Sequence, residues 1–174
     1  MILLSIFATD QQGGIGYQNS LPWPFNRKDM NNFLSLTAGK IVVMGSNTWF
    51  SLPNKLTNRI NVVVSTKSKE ELVHNNQTPD YVISFKTVDE FENQVMIISE
   101  RYEIPDICII GGKQLYEDLN EIVDVIIHTE IEGKYLCDTF VNVNKLTENF
   151  EKTYLTKDNK FKLTVTTYRK KKYQ

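Results

Sequence analysis

Two glycine-containing turns are the first places in this 174-residue sequence where chemistry could be done. Ile110-Gly111-Gly112-Lys113-Gln114-Leu115-Tyr116 follows an apolar run and opens a helical one, so bare backbone N–H groups and a helix dipole can receive phosphate oxygens there. Met44-Gly45-Ser46-Asn47-Thr48 repeats the arrangement. Such turns gather at the carboxyl ends of the strands of an open α/β sheet, so the pair could hold one dinucleotide, although each taken alone reads as a tight strand-to-helix turn. Neither has the G-x-G-x-x-G spacing, and a standard dinucleotide-binding fold is unsupported by motif. A third segment, Gly13-Gly14-Ile15-Gly16 through Asn19-Ser20-Leu21-Pro22-Trp23-Pro24, is mobile at its glycines and stiffened at its prolines, as a lid would be.

The elements that must position these segments follow from periodicity. Met1 to Ala8, Lys40 to Met44, Asn61 to Ser65, Tyr81 to Ser84 and Ile107 to Ile110 are Ile- and Val-rich runs of the kind buried on both faces of a sheet. Helices are expected at Asp29 to Leu36, Asn47 to Leu52, Lys69 to His74, Val88 to Tyr102 and Lys113 to Leu119, with Thr87-Val88-Asp89-Glu90 as a capping box. Asp124 to Ile131, Phe150 to Leu155 and Phe161 to Tyr168 read as further strands, the last two joined by a turn at Lys157-Asp158-Asn159-Lys160. The sum is one three-layer α/β domain over 1–174, with a mixed eight-stranded sheet, helices on both faces and a C-terminal antiparallel hairpin.

Composition narrows the function classes. Twenty Lys and Arg against twenty-one Asp and Glu give a net charge of -1, so no broad field favours nucleic acid. No apolar run approaches the roughly 20 residues that span a bilayer. Cys108 and Cys137 are isolated and His74 and His128 are single, which supports neither a disulfide framework nor a metal site. A reducing cytoplasm is the expected setting, without a membrane or nucleic-acid partner.

Ile15-Gly16-x-x-Asn19-x-Leu21-Pro22-Trp23, Asp29 with Phe33, Met44-Gly45-x-x-Thr48-Trp49, Arg59, Ile110-Gly111-Gly112 with Tyr116, and Asp138-Thr139-Phe140 together resemble the dihydrofolate reductase family in order and interval. The likeness runs from Met1 to about Tyr168. It implies a monomeric enzyme that reduces 7,8-dihydrofolate with NADPH, supplies one-carbon metabolism and thymidylate synthesis, and is inhibited by antifolates. Its nearest enzymatic rival is the pyrimidine reductase of riboflavin synthesis, and a rival of another class is a protein that binds folate or a nucleotide without turnover.

Carried onto this chain, the resemblance makes Asp29, Trp23, Leu21 and Thr129 the catalytic set. Asp29 would grip the 2-amino group and ring N–H of the pterin, with Thr129 hydrogen-bonded to it. Burial would raise the Asp29 pKa and the helix N-terminus would lower it, which leaves the net shift open. Leu4, Ile6, Met30, Phe33, Leu52, Leu56, Ile110 and Tyr116 would line the folate site. Arg59, with its planar fork, would take the folate α-carboxylate. The cofactor would meet Ala8, Ile15, Gly16, Asn19, Gly45, Ser46, Asn47, Thr48, Gly111, Gly112, Lys113, Gln114 and Leu115, and its 2′-phosphate would meet Ser65, Thr66 and Lys67. Ser46 and Asn47 stand where many relatives carry a cation, so Lys67 with Lys69 or Lys113 would supply the charge. Cys137 occupies a place where glycine is common, and Ser5 replaces a small apolar residue.

Overall fold

The computed structural model describes residues 1–172. The chain runs β1 (Ile2–Thr9), β2 (Gly14–Gly16), α1 (Arg27–Thr37), β3 (Ile41–Gly45), α2 (Ser46–Ser51), β4 (Ile60–Val64), β5 (Tyr81–Ile83) and α3 (Val88–Tyr102). It continues through β6 (Asp106–Gly111), α4 (Lys113–Asp118), β7 (Val125–Ile131), β8 (Thr139–Phe140), α5 (Val143–Thr147), β9 (Phe150–Asp158) and β10 (Leu163–Lys170). Eight strands form one sheet in the order β5-β4-β3-β6-β1-β7-β10-β9, while β2 and β8 make a separate ribbon. The first six strands of that order are parallel; β10 is antiparallel to both its neighbours.

The alternation of side chains along each strand divides the core into two layers. Leu3 and Phe7 of β1 join Phe91, Val95 and Ile98 of α3 and Leu115 of α4 on one face. Leu4 and Ile6 join Trp49 of α2, with Phe33 and Leu36 of α1, on the other. Helices therefore cover both faces, as expected. Where β7 departs from the purely apolar pattern, His128 packs on Phe7 with ring centroids 5.1 Å apart and pairs with Thr9 Oγ1 at 2.8 Å.

Several expected elements differ. Lys69 to His74 is not a helix: only Glu70–Leu72 makes a 3-10 turn, because Val73 turns extended and His74 pairs back with Gln77. A helix of so few residues gains too few hydrogen bonds to offset nucleation. The hairpin turn lies two residues later than expected, because the Asp158 carboxylate accepts the Phe161 N–H at 2.9 Å and Lys162 takes a left-handed φ of 52°. The short β2, β8 and α5 are too brief for their patterns to show in the sequence. In the capping box, Thr87 Oγ1 accepts the Glu90 N–H at 3.3 Å, whereas the Glu90 carboxylate reaches back to Lys86 N at 2.7 Å.

Candidate active site

Pairing of β3 beside β6, with Met44 opposite Gly111, brings the two glycine turns side by side. They open into a cleft of about 1210 Å³ beyond the carboxyl ends of the central strands. Both helices that begin there lack a side-chain cap: Gly45 and Gly112 are the cap residues, and neither first turn contains an acid. The N–H groups of those turns are thus left for an anion. A Cβ on Gly45 would meet nothing within 4 Å, which leaves open space above it; one on Gly111, at φ +139°, would lie 2.8 Å from Thr48 Oγ1. Two adjacent donor turns over a side-chain-free floor suit the pyrophosphate of a nicotinamide dinucleotide.

Across the cleft stands α1. Asn26 accepts the Asp29 N–H at 3.1 Å, which starts the helix so that Asp29 sits in its first turn while Met30, Phe33 and Leu36 line the same wall. Burial pushes the Asp29 carboxyl up to about 6. No protein hydrogen bond reaches its oxygens among the described residues. A half-buried acid of this kind can accept two N–H groups from a flat heterocycle and can hold a proton near neutral pH.

The residues expected at the site divide into three groups. Lining the cleft are Ile6, Leu52, Ile110 and Tyr116 on the folate side, with Leu21 from the lid and Thr129 from β7. Ala8, Ile15, Gly16, Asn19, Ser46, Asn47, Lys113, Gln114 and Leu115 join them with the glycine turns and Thr48. Leu4, Leu56 and Trp23 lie behind the wall instead. Leu4 and Leu56 pack in the core layer under it, and Trp23 is buried against Ile131 and Leu163 with its indole N–H unpartnered. Arg59, Ser65, Thr66 and Lys67 form the third group, outside the lining.

Arg59 is tied down: Nε donates to Thr37 Oγ1 at 2.9 Å, and its terminal nitrogens donate to Thr57 O and Leu34 O, each at 2.6 Å. Lys67 Nζ sits 5.7 Å over the Phe50 ring. Lys69 is drawn away by the Asp80 carbonyl at 2.6 Å, and Lys113 lies 4.0 Å from Glu117. Thr129 and Asp29 both line the cleft, and among the described residues no hydrogen bond joins them.

Lid placement depends on Asp10 and Asp138, which no local sequence pattern marks for that part. Asp10, only 1% exposed, accepts Gln12 N at 2.8 Å and Gly14 N at 2.9 Å through one oxygen. Its other oxygen accepts Tyr135 N at 2.9 Å and the Cys137 thiol at 3.7 Å. Burial works to raise its pKa, but the backbone hydrogen bonds prevail and hold it below the ordinary value. Asp138 Oδ2 accepts Gln18 N at 2.8 Å, and β8 pairs with β2 across Gly14 and Gly16. Phe7, Ser20, Asn32, Pro53, Phe85 and Asp118 also line the cleft; of these, Ser20 belongs to the lid segment and Phe7 to the first apolar run. A second, more open hollow of about 660 Å³ lies on the other face around His128, Thr166 and Asn142. Burial pushes His128 down to about 4, so it is neutral there at pH 7.

The sequence profile of the family described as dihydrofolate reductase matches residues 2–171. A dihydrofolate reductase of Mycoplasma pneumoniae is 36% identical over 142 residues, covering 80% of this chain and 82% of that one. The type 8 dihydrofolate reductase of Escherichia coli is 29% identical over 170 residues, covering 97% and 96%. The solved structure of the Enterococcus faecalis dihydrofolate reductase, complexed with NADP(H) and RAB-propyl, superposes with a TM-score of 0.77 at 22% identity over 98% of this chain and 97% of that one.

Proposed function

The chain belongs to the dihydrofolate reductase family, and on that premise we propose that it converts 7,8-dihydrofolate to 5,6,7,8-tetrahydrofolate, adding hydride to C6 of the pteridine and a proton to N5. The observation that carries this reading is the desolvated Asp29 carboxyl, held across one cleft from two uncapped glycine turns. NADPH, when bound, supplies the hydride.

Asp29 orients the pterin. Its ionised carboxylate accepts the 2-amino group and ring N–H as a pair, which fixes one face of the heterocycle toward the glycine turns. With its pKa at about 6, about a tenth of the side chain is protonated at pH 7, a reservoir from which a water can carry the proton toward N5. Leu21, from the lid, shields the reacting rings from bulk water. Met30, Phe33 and Leu52 contact the aminobenzoyl portion, and Arg59 lies toward its glutamate end. The N–H groups at Ser46 to Thr48 and Lys113 to Gln114 hold the cofactor pyrophosphate. Lys67 is the cation nearest in sequence to Ser65 and Thr66 for the 2′-phosphate, its own N–H already donated to Ser65 Oγ at 3.1 Å. Under this reading the enzyme is a cytoplasmic monomer, its product serves one-carbon metabolism and thymidylate synthesis, and antifolates compete with its substrate.

The test is the loss of NADPH absorbance on adding dihydrofolate, with NADH run beside it. Turnover with NADPH and a lesser rate with NADH are expected; no oxidation of either would overturn the proposal.

A further inference from the structure

The stretch from Leu52 to Leu56 supplies part of the cleft wall through Leu52 and Pro53, yet it lies between α2 and β4 with no helix or strand of its own. Backbone groups outside regular structure must find other partners if they are to stay fixed. Leu52 N closes back on Trp49 O at 3.3 Å where α2 ends. Beyond that point the bonds come from side chains later in the chain. His74 Nε2 donates to Leu52 O at 2.8 Å, and Asn75 Nδ2 donates to Pro53 O at 2.7 Å. Gln77 Oε1 accepts Lys55 N at 2.7 Å, and Asp80 holds the Lys55 ammonium at 2.6 Å. Asn61, fully buried on β4, accepts Leu56 N at 3.1 Å and donates to Leu56 O at 2.8 Å.

His74 is itself held firmly. Its ring stands edge-on to Phe50 at 5.6 Å and to Trp49 at 6.4 Å, both residues of α2, and its backbone exchanges two 2.9 Å hydrogen bonds with Gln77. Asn75 and Asn76 adopt left-handed φ values of 48° and 59°, which makes the turn tight enough to bring His74 onto Leu52 O and Asn75 onto Pro53 O. Neither side chain lines the cleft.

We infer that His74 and Asn75 are positioning residues for the substrate's aminobenzoyl-glutamate part, acting through the Leu52–Pro53 wall that they hold. The inference rests on the dihydrofolate reading. Because the wall carries no ladder of its own, losing one of these bonds frees a carbonyl to seek water and lets the wall move away from Phe33. The pterin end, gripped by Asp29 on a separate element, does not depend on them.

The test compares His74→Phe, which keeps a ring against Trp49 and Phe50 but loses the donor; His74→Gln, which restores an amide donor; and Asn75→Gly, which tolerates the left-handed φ and loses only the amide. Readouts are KM and kcat with dihydrofolate, KM with a dihydropterin lacking the tail, and the dissociation constants of folate and of NADPH. His74→Phe and Asn75→Gly should each raise the folate dissociation constant and the dihydrofolate KM about fivefold, the value of one hydrogen bond. Kinetics with the tail-less substrate, kcat and NADPH affinity should stay within about twofold of the parent, and His74→Gln should recover most of the loss. An unchanged dihydrofolate KM, or equal losses for both substrates and for NADPH, would overturn the inference. Failure of the parent protein itself to turn over dihydrofolate would instead refute the underlying reading, so the two failures are distinguishable.

Discussion

Asp29→Asn removes a charge while nearly preserving shape, and the structure gives its effect on stability a sign as well as a size. Burial pushes this carboxyl from 3.8 to about 6 with no other cause. A rise of roughly two pH units makes the ionised folded state about 3 kcal/mol less stable than it would be with an unshifted acid. Between about pH 4 and about pH 6 the unfolded chain releases this proton while the folded chain retains it. Stability therefore falls as pH rises through that window, and the penalty is complete above it. Asparagine escapes the penalty. Without ligands the variant should be about 2–3 kcal/mol more stable than the parent near pH 8, with the difference fading to nothing near pH 4. Urea unfolding of both proteins across that range measures it. A gap that does not change with pH, or a variant less stable near pH 8, would refute the reasoning. The same variant should bind NADPH normally and lose most turnover at neutral pH, with partial recovery in acid where the substrate brings its own proton. Stability and activity thus oppose each other at this one side chain.

Arg59→Ala should weaken dihydrofolate by about tenfold or more while hardly changing a tail-less pterin; equal losses for the two would show that Arg59 merely ties Leu34 to Thr57. Gly111→Ala places a methyl 2.8 Å from Thr48 Oγ1 at φ +139°, and should cost about 1–3 kcal/mol of stability along with NADPH affinity, read by unfolding and by calorimetric titration. For His128→Gln the prediction concerns acid. Burial holds the folded imidazole at about 4 against an ordinary 6.5, so on acidification the unfolded chain takes up a proton that the folded chain refuses, and stability is lost as pH falls through that interval. Glutamine should flatten this acid limb by up to about 3 kcal/mol, and an unaltered slope in urea unfolding from about pH 6.5 to about pH 4 would contradict it.

What the sequence disclosed was what is decided locally. Val88–Tyr102 is a helix over the expected residues because Thr87 caps it and Phe91, Val95 and Ile98 recur on one face. The glycine turns and Asp29 were also legible, since a strand end, a cap and a first-turn acid are read within a few residues. The two short strands of the lid ribbon were not, because three residues and two residues are too few for an alternation to show. Nor was Asp10, whose partners Tyr135 and Cys137 lie more than 120 positions away in the chain. Lys69 to His74 misled because a leucine flanked by charged residues imitates a helix, while the Asn75-Asn76 turn that stops it acts through φ. For Arg59, Leu56 and Ser65 to Lys67 the family likeness supplied a role, but the structure places these residues behind or beside the cleft rather than on its surface.

The central claim is that Asp29 grips the pterin in the cleft that the glycine turns share. A crystal structure of the chain with folate and oxidised cofactor tests it most directly. The account predicts both Asp29 oxygens within hydrogen-bonding distance of the pterin 2-amino group and ring nitrogen, with the nicotinamide ring stacked beside C6. A pterin bound away from α1, with the Asp29 carboxylate turned to solvent, would contradict it.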